Sequence, residues 1–507
     1  MNNGNKVIFN TGIIYGKMII TIIVSLVSTR WVLQALGNED YGIYSLVGGV
    51  IAMFSFLNAA LSSATQRFLS YEIGKGNIKS IKEIFYASFI LHLICGIILA
   101  MIFQIGGFLL INHFLIIPEG KYDLAYYVLN TLSISTFFVI ISVPYQSVMN
   151  AHENMIIISV VDILQALLKL ALAWFLLSYN GNTLKTYAFT IMLINILGLA
   201  LSFLYCYKNY KETHFRWHKM EDYTFFKSIG SYLGWLLFGF VCSLGRTQCI
   251  PIALNSMWGI VMNTAYGIAN QVDSQVSFFS KSILRAIRPQ IIQSEGQGDH
   301  LRMIRLSFTA SKFSFICLSF FAIPLLLNIN YVLGLWLGKV PEYTANFIIL
   351  LLLISLINQL GAGPFLANES KGNIRNYQLT TGIIDLIVLP IGYYVMYIYN
   401  NPYGILIVVL FFICLSLYIC LLITNRNLQI KKNLFFKTVI LPLCTILIPS
   451  IGITYMIHTT LNEHFLRLCI DVISYIISSV GIMYCWGLTQ EEKNVINGLI
   501  NKFKRKL

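Results

Sequence analysis

The sequence predicts an all-α polytopic membrane protein with about 14 transmembrane helices: two six-helix lobes around a central cavity, plus two C-terminal helices. Three observations support this prediction. The 507 residues are 57% hydrophobic and only 11% charged, whereas soluble domains average about 25% charged residues. The apolar residues form long runs, and several landmarks recur in the two halves of the chain.

The apolar runs have the length of membrane-spanning helices. Those at 90–110 and 348–366 are about twenty residues long, which crosses a bilayer at about 1.5 Å per residue. A transmembrane barrel would instead show alternating segments of about ten residues. We place the spans near 11–36, 42–70, 84–112, 124–149, 156–178, 186–207, 226–254, 260–286, 305–328, 344–367, 377–399, 403–424, 438–458 and 466–487.

The distribution of positive charge predicts the topology. With the N-terminus inside, 24 lysines and arginines fall in cytoplasmic segments, and four (Lys121, Lys185, Lys339 and Arg467) fall in outer loops. Cytoplasmic loops are enriched in these residues. We therefore expect both termini on the cytoplasmic side of an inner membrane. The net charge of +14 is explained by this orientation, so no nucleic-acid partner is predicted.

Repeated landmarks indicate two similar halves. The loop sequence G-K-G-N at 74–77 recurs as G-Q-G-D at 296–299, and Arg30 has a counterpart in Arg246, which gives sequence offsets between 216 and 222. An aromatic-glycine pair follows each arginine, at 41–42 and 258–259. Two halves of six helices share one orientation, which leaves a central cavity suited to alternating access.

These landmarks predict three regions. Residues 1–222 form an N-terminal lobe with helices one to six, and residues 223–424 form a C-terminal lobe with helices seven to twelve. Residues 425–507 supply two extra helices and a basic cytoplasmic tail.

The eighth span carries a polar stripe. At about 100° per residue its members fall within an arc of roughly 120°: Asn263, Tyr266, Asn270, Asp273, Ser277, Lys281 and Arg285. The opposite face contains Ala265, Ile268, Val272, Val276, Phe279 and Ile283. One interpretation is a helix that lines a hydrated cavity; the other is interhelical hydrogen bonding. An ionised Asp273 at mid-span costs a few kcal/mol unless it is paired or hydrated, whereas Lys281 and Arg285 can extend toward the inner surface.

Other charged residues in the spans each have two interpretations. Small residues in the second span indicate tight helix packing, which leaves Gln66 and Arg67 unexplained. Arg30 and Arg246 either extend to the outer surface or face a cavity, where a guanidinium suits phosphate oxygens.

Besides the eighth span, three spans carry acidic residues. Asp162 and Lys169 are seven residues apart on one face of the fifth span. They are interpreted either as a structural pair or as a site of ion coupling. Asp385 and Asp471 lie near span ends, where water can solvate them.

No H-E-x-x-H, G-x-S-x-G or Walker sequence occurs, so we predict a transporter and not an enzyme, with no metal or cofactor.

The opening of the chain resembles a known family. N-T-G at 10–12 and Arg30 precede L-G-N-E-D-Y-G-I-Y at 36–44. This pattern is similar to the start of Wzx-type polysaccharide flippases, which belong to the multidrug/oligosaccharidyl-lipid/polysaccharide (MOP) exporter superfamily. The segment 66–77, with its G-x-G-N loop, resembles the same family, and so do the helix number and the orientation.

The resemblance implies a function and a site. It implies flipping of an undecaprenyl-pyrophosphate-linked oligosaccharide from the inner to the outer leaflet. The predicted substrate-binding residues are the cations Arg30, Arg67, Arg246 and Lys281, together with Asn270 of the polar stripe. Candidates for ion coupling are Asp162, Lys169 and Asp273.

The expected partners are this lipid-linked oligosaccharide, membrane lipids, a polysaccharide polymerase and a chain-length regulator, with the chain itself a monomer. The alternatives are a cation-coupled multidrug exporter of the same fold and an integral-membrane polymerase or glycosyltransferase. The exporter would favour acids and aromatic residues in its cavity. The enzyme would need a large outer loop or an acid cluster.

Overall fold

The protein is helical throughout the residues that the computed structural model describes, which are 3–52, 54–113, 120–214, 224–338, 340–431, 433–461, 465–490 and 492–493. The helices are α1 (Asn3–Ala52), α2 (Ser55–Lys75), α3 (Ile78–His113), α4 (Tyr122–Ala151), α5 (Met155–Leu176), α6 (Thr183–Asn209), α7 (Thr224–Trp258), α8 (Ile260–Gly296), α9 (His300–Leu327), α10 (Ile329–Leu337), α11 (Thr344–Lys371), α12 (Arg375–Tyr399), α13 (Gly404–Leu428), α14 (Leu441–Thr460) and α15 (Phe465–Ile482). The predicted all-α membrane fold class is confirmed.

Twelve helices of the described residues are long and apolar enough to cross a membrane. The short α10 and the two polar helices α2 and α8 are not among them. The predicted second and eighth spans are therefore helical but carry too many polar groups for a lipid-facing helix. The chain is a multi-pass membrane protein whose exposed surface along the spans is largely apolar, as at Ile98, Val160 and Phe411.

The connection between the first two predicted spans differs from the one expected. Instead of a loop between 36 and 42, α1 continues through a bend at Gly37, which has φ 73° and ψ 173°. This backbone region is essentially restricted to glycine. The predicted second span, 42–70, consists of the end of α1 and most of α2, with an interruption between Ala52 and Ser55.

The helices repeat along the chain at a nearly constant offset in sequence number. The offset is 222 between the starts of α3 and α9 and between the starts of α4 and α11. It is 220 between the starts of α5 and α12, and 221 between those of α6 and α13. Gly259, at the same offset from Gly37, has the same unusual backbone, with φ 73° and ψ −164°. The halves are thus built from the same series of helices.

This register corrects the repeat inferred from sequence. Gly259 corresponds to Gly37 and not to Gly42, which lies within α1. Arg30 precedes its bend by seven residues and Arg246 by thirteen. Six residues correspond to about 9 Å of rise and about 120° of separation around a helix. The two arginines therefore do not occupy equivalent positions.

The chain divides into two compact units within α7, Phe9–Leu237 and Phe238–Leu507, the latter including Met1–Ile8. This division follows Leu237, further along the chain than the predicted lobe boundary at 222. In the first unit, α2 is buried continuously from Ser63 to Ser70, as expected for tight packing of small residues. In the second unit, Phe347, Ile348 and Leu352 of α11 are fully buried in the core.

Candidate functional site

The exposed face of α8 is polar, whereas spanning helices such as α3 and α13 expose large apolar side chains. Apart from Val261 in the first turn, the exposed residues of α8 are Thr264, Gly267, Asn270, Gln271, Ser274, Gln275, Lys281 and Arg285. We call this surface the α8 polar face. Amide, hydroxyl and cationic groups are costly in hydrocarbon unless they have partners. The α8 polar face is therefore suited to water or to a polar ligand.

The polar stripe predicted for the eighth span is partly correct. Asn270, Lys281 and Arg285 are exposed, but Tyr266 and Ser277 are buried at 4% and 2% exposure. The exposed face is rotated toward positions 271, 274 and 275.

The apolar face of α8, opposite the predicted polar stripe, packs inside the second unit. Ala265 is fully buried, and Val272 and Val276 contact the core. Phe279 stacks on Phe321, with 4.3 Å between ring centroids. Sequence periodicity defines a polar arc but not which of its edges a neighbouring helix covers.

Asp273 is half-buried and directed toward α11. Its Oδ1 accepts a hydrogen bond of 2.5 Å from Ser355 Oγ, and Ser277 Oγ lies 3.5 Å from the same oxygen. Lys281, two turns further along α8, is exposed and forms no ion pair within the described residues. The carboxylate is thus engaged by hydroxyl groups, while the cation remains accessible.

Arg246 is paired with an acid. Its Nε lies 2.9 Å from Asp385 Oδ1 of α12, at 15% and 16% side-chain exposure, although the N–H is not aligned for a hydrogen bond. The interpretation of Asp385 as a helix-end residue solvated by water is wrong, because the carboxylate is held between two helices. In this structure, Arg246 is neutralised within the second unit.

The acid of α5 has a different partner from the one that the sequence suggested. Asp162 pairs with Lys17 of α1, at 2.7 Å between Nζ and Oδ2, and not with Lys169. Lys169 is half-buried and forms no ion pair in the described part of the first unit. The sequence reading missed Lys17, although a lysine inside the first span is itself a signal that an acid should be sought on a neighbouring helix.

The two remaining predicted cations differ in their surroundings. Arg30 of α1 is exposed and pairs with no carboxylate among the described residues. Arg67 of α2 is only 6% exposed. Its guanidinium carbon lies 4.7, 4.9 and 5.8 Å from the ring centroids of Phe68, Tyr71 and Tyr232. This cation–π packing contradicts the prediction of a cavity-facing Arg67.

The motif at 36–44 forms a charged contact next to the bend of α1. Lys121 Nζ lies 2.8 Å from Glu39 Oε2 and 2.7 Å from Asp40 Oδ1. The hydrogen bond with Lys121 lowers the pKa of Glu39, and the hydrogen bonds with Asp40 and Glu39 raise the pKa of Lys121. Tyr44 packs edge-on against Tyr187 at 4.8 Å. The motif thus joins the bend to neighbouring helices of the first unit.

The sequence reading also missed polar contacts inside the second unit. Arg288 of α8 forms a two-point ion pair with the fully buried Glu369, with Nε 2.9 Å from Oε2. The buried Lys312 of α9 lies 2.6 Å from Glu492 Oε2. The partners are 81 and 180 residues apart, so no local pattern could have revealed them.

Asp471 is a further correction. It is fully buried and contacts Asn328 and His458, so its interpretation as a solvated helix-end residue is wrong. Across the described residues, no group of three or more His, Cys, Asp or Glu side chains could hold a metal ion.

Comparison with known proteins places this fold. Residues 14–175 match the MatE family model, and no curated protein sequence matches the chain. One similar solved structure is described as the outward-facing conformation of a multidrug resistance MATE family transporter of the MOP superfamily. It has a TM-score of 0.71 and 13% identity, covering 85% of this chain and 96% of the other.

Two further structures show the same similarity. A MATE protein in the bent conformation has a TM-score of 0.72 and 12% identity, with 85% and 96% coverage. The other is a MOP superfamily transporter from Pyrococcus furiosus, which is described as having a reverse polarity of its binding pocket that suggests a different function. It has a TM-score of 0.70 and 12% identity, covering 85% of this chain and 96% of the other. The chain therefore has the MATE transporter fold. Two of these three structures are described as transporters.

Proposed function

We propose that this protein is an alternating-access flippase. Its substrate would be an undecaprenyl-pyrophosphate-linked oligosaccharide, moved across the bacterial inner membrane for synthesis of a surface polysaccharide such as O-antigen, capsule or exopolysaccharide. In this proposal both termini are cytoplasmic, and a polymerase and a chain-length regulator act on the product. The observation that carries the proposal is the α8 polar face, which contrasts with the large apolar side chains exposed on helices such as α3 and α13.

The physical requirement for a flippase matches this surface. A charged saccharide headgroup crosses hydrocarbon only if water or protein groups replace its hydration shell. Amides and hydroxyls such as Asn270, Gln271 and Ser274 can donate to and accept from sugar hydroxyls. The lipid tail needs no such groups, since bilayer hydrocarbon already solvates it.

The charges in the helices favour an anionic headgroup. The acids described above each contact a donor: Asp162 contacts Lys17, Asp273 contacts Ser355, Asp385 contacts Arg246 and Asp471 contacts Asn328. Arg30 and Lys281, by contrast, are exposed without a carboxylate partner in the described residues. Ammonium and guanidinium groups donate charge-assisted hydrogen bonds to phosphate oxygens. We therefore propose Arg30 in the first unit and Lys281 in the second unit, each by itself, as candidate contacts of a phosphate group, and leave Arg67 and Arg246 out of this role.

A cation-coupled multidrug exporter is the second candidate, because one matched structure is described as a multidrug resistance transporter. A cationic drug would need an accessible carboxylate. The half-buried Asp273 is the acid nearest to the α8 polar face in sequence. In either function, Asp273, Asp162 and Lys169 are our candidates for ion coupling.

Genetic rescue tests the proposed function. In a bacterial strain that lacks its own flippase and makes a compatible lipid-linked unit, the wild-type gene should restore surface polysaccharide. Lys281→Ala and Arg30→Ala should each lower the rescue about tenfold, because a hydrogen bond to a charged group contributes about 1.5–3 kcal/mol. Matched controls are Lys211→Ala and Arg426→Ala, which remove exposed cations outside the proposed contacts.

Three outcomes separate the candidates. Accumulation of the lipid-linked unit at the inner leaflet upon deletion supports the flippase, whereas failure to form the unit supports the enzyme alternative. Normal rescue by both variants, at equal protein level, would remove the headgroup role of the two cations. Drug resistance conferred by the gene without polysaccharide rescue would favour the exporter.

A further inference from the structure

A buried lysine of α9 contacts the chain segment that follows α15. The Lys312 side chain is only 3% exposed. Its Nζ donates to the carboxylate Oε2 of Glu492 at 2.6 Å and to the backbone carbonyl of Gly487 at 3.2 Å. Thr309, about one turn earlier on α9, donates from Oγ1 to the other carboxylate oxygen, Oε1, at 3.4 Å. Two residues on one face of α9 therefore bind both oxygens of Glu492.

Local structure fixes the position of Glu492. The π-helical turn Met483–Gly487 ends at Gly487, where a Cβ would overlap with the Ile446 side chain of α14. A helical turn then follows Thr489. The Thr489 N–H donates to Glu492 Oε2 at 2.8 Å, and the Glu492 N–H donates to Thr489 Oγ1 at 3.4 Å. This reciprocal arrangement is a capping box, which holds the carboxylate in place for its contacts with α9.

The helix α15 itself is attached to the second unit through polar side chains. Its buried residues all carry polar groups: Arg467, Asp471, Tyr475 and Ser479. Asn328, which follows α9, donates from Nδ2 to Asp471 Oδ2 at 2.7 Å. This contact lies more than four helical turns from Lys312, about 24 Å along a helix. Because apolar faces gain little from meeting each other in lipid, such polar contacts determine where the pair α14–α15 docks.

The first unit has no equivalent of this lysine. Position 312 of α9 corresponds to Ile90 of α3, and position 309 corresponds to Ala87, because the starts of the two helices differ by 222. Among the described helices, α14 and α15 follow the second series and have no counterpart in the first series, α1–α6. The lysine therefore occurs on the copy of the helix that receives the additional pair.

We propose that Glu492 is a latch that locks the helix pair α14–α15 onto α9, and that the second unit becomes stable only after the chain has been synthesised through this residue. Glu492 follows Lys312 by 180 residues, so this carboxylate reaches the lysine only after α14 and α15 have been made. An unpaired ammonium in a spanning helix is costly, and a buried cation that lacks its partner destabilises a fold strongly. The α8 polar face takes no part, so the proposal goes beyond the proposed function.

The variant Glu492→Gln opens the latch but keeps the local turn, because glutamine also serves in a capping box. Lys493 follows the latch directly, so trypsin cleavage after Lys493 in the full-length protein reports how often the segment is open. Mass spectrometry identifies the product. Cleavage should become about tenfold faster, because the rate follows the open population and a hydrogen bond between charged groups contributes about that factor. The amount of protein in the membrane should fall, because Lys312 is left unpaired.

The variant Lys312→Met separates the two effects. It should accelerate cleavage after Lys493 to the same extent, but it should leave the protein level near that of the wild type because the buried cation is gone. The double variant Lys312→Met/Glu492→Gln should regain the protein level that Glu492→Gln loses, while cleavage stays fast.

The matched control is Glu342→Gln, at an exposed acid of the second unit, which should change neither the cleavage rate nor the protein level. An unchanged cleavage rate in Glu492→Gln would overturn the proposal. A double variant as scarce in the membrane as Glu492→Gln alone would also overturn it, because the loss would then not arise from the unpaired lysine.

Discussion

At the residue scale, the charged side chains in the spans divide into paired and exposed groups. The sequence identified most of these residues, because a charge inside an apolar run is conspicuous. It did not identify their partners: Asp162 pairs with Lys17 and Arg246 with Asp385, on helices that are distant in sequence. Charge pairing depends on which helix faces meet, and that follows from tertiary packing and not from local periodicity.

The Arg246–Asp385 pair provides a prediction at this scale. Asp385→Asn or Arg246→Gln should each lower the free energy of unfolding by about 2–3 kcal/mol, because a mostly buried charge loses its partner. The double substitution Arg246→Leu/Asp385→Leu should recover most of that loss, since no charge remains unpaired. Denaturant or thermal unfolding in detergent measures all three variants.

A double variant as unstable as the sum of the single variants would show that the two side chains act independently. Lys211→Met, which removes an exposed lysine, is the control and should leave the unfolding free energy unchanged.

At the element scale, helix positions follow closely from hydropathy, whereas interruptions within helices do not. The predicted spans coincide with helices throughout the described residues, but α1 bends at Gly37 and the chain is interrupted before Ser55. The bend depends on the backbone conformation of a single glycine. Hydropathy averaged over the length of a span does not detect it. The equivalent conformation at Gly259 became recognisable only when both backbone angles could be compared.

Substitution of the bend glycine tests its conformational requirement. Gly37→Ala should destabilise the protein by about 1–3 kcal/mol, because a residue with a Cβ is strained in this backbone region. A Cβ at Gly37 would meet no atom within 4 Å, so the cost is conformational and not steric. Unfolding midpoints of the purified variants give the measurement.

Gly42→Ala is the matched control. A Cβ at Gly42 is equally free of contacts, but the residue lies in a helix, where alanine is favoured over glycine by roughly 0.5–1 kcal/mol. The two alanine variants should therefore shift stability in opposite directions. Equal effects would show that the bend imposes no special requirement.

At the scale of the whole molecule, composition and apolar run length were enough to predict a helical membrane protein, and the recurring G-x-G loops at 74–77 and 296–299 indicated its repeated series of helices. The offset was predicted at 216–222, and the helix starts refine it to 220–222. The site was predicted less completely. Asn270 and Lys281 belong to the α8 polar face, but the orientation of that face depends on packing against α9 and α11, which the sequence does not encode locally.

Cysteine accessibility along α8 is the most direct test of the central claim that the α8 polar face is hydrated. In a functional variant without its ten native cysteines, Gln271→Cys, Ser274→Cys and Gln275→Cys should react with a small, membrane-impermeant thiol reagent. Ile407→Cys and Phe411→Cys, on an exposed apolar face of α13, should stay unmodified because a thiol in hydrocarbon does not ionise. Reaction at the α13 positions but not at the α8 positions would contradict the account.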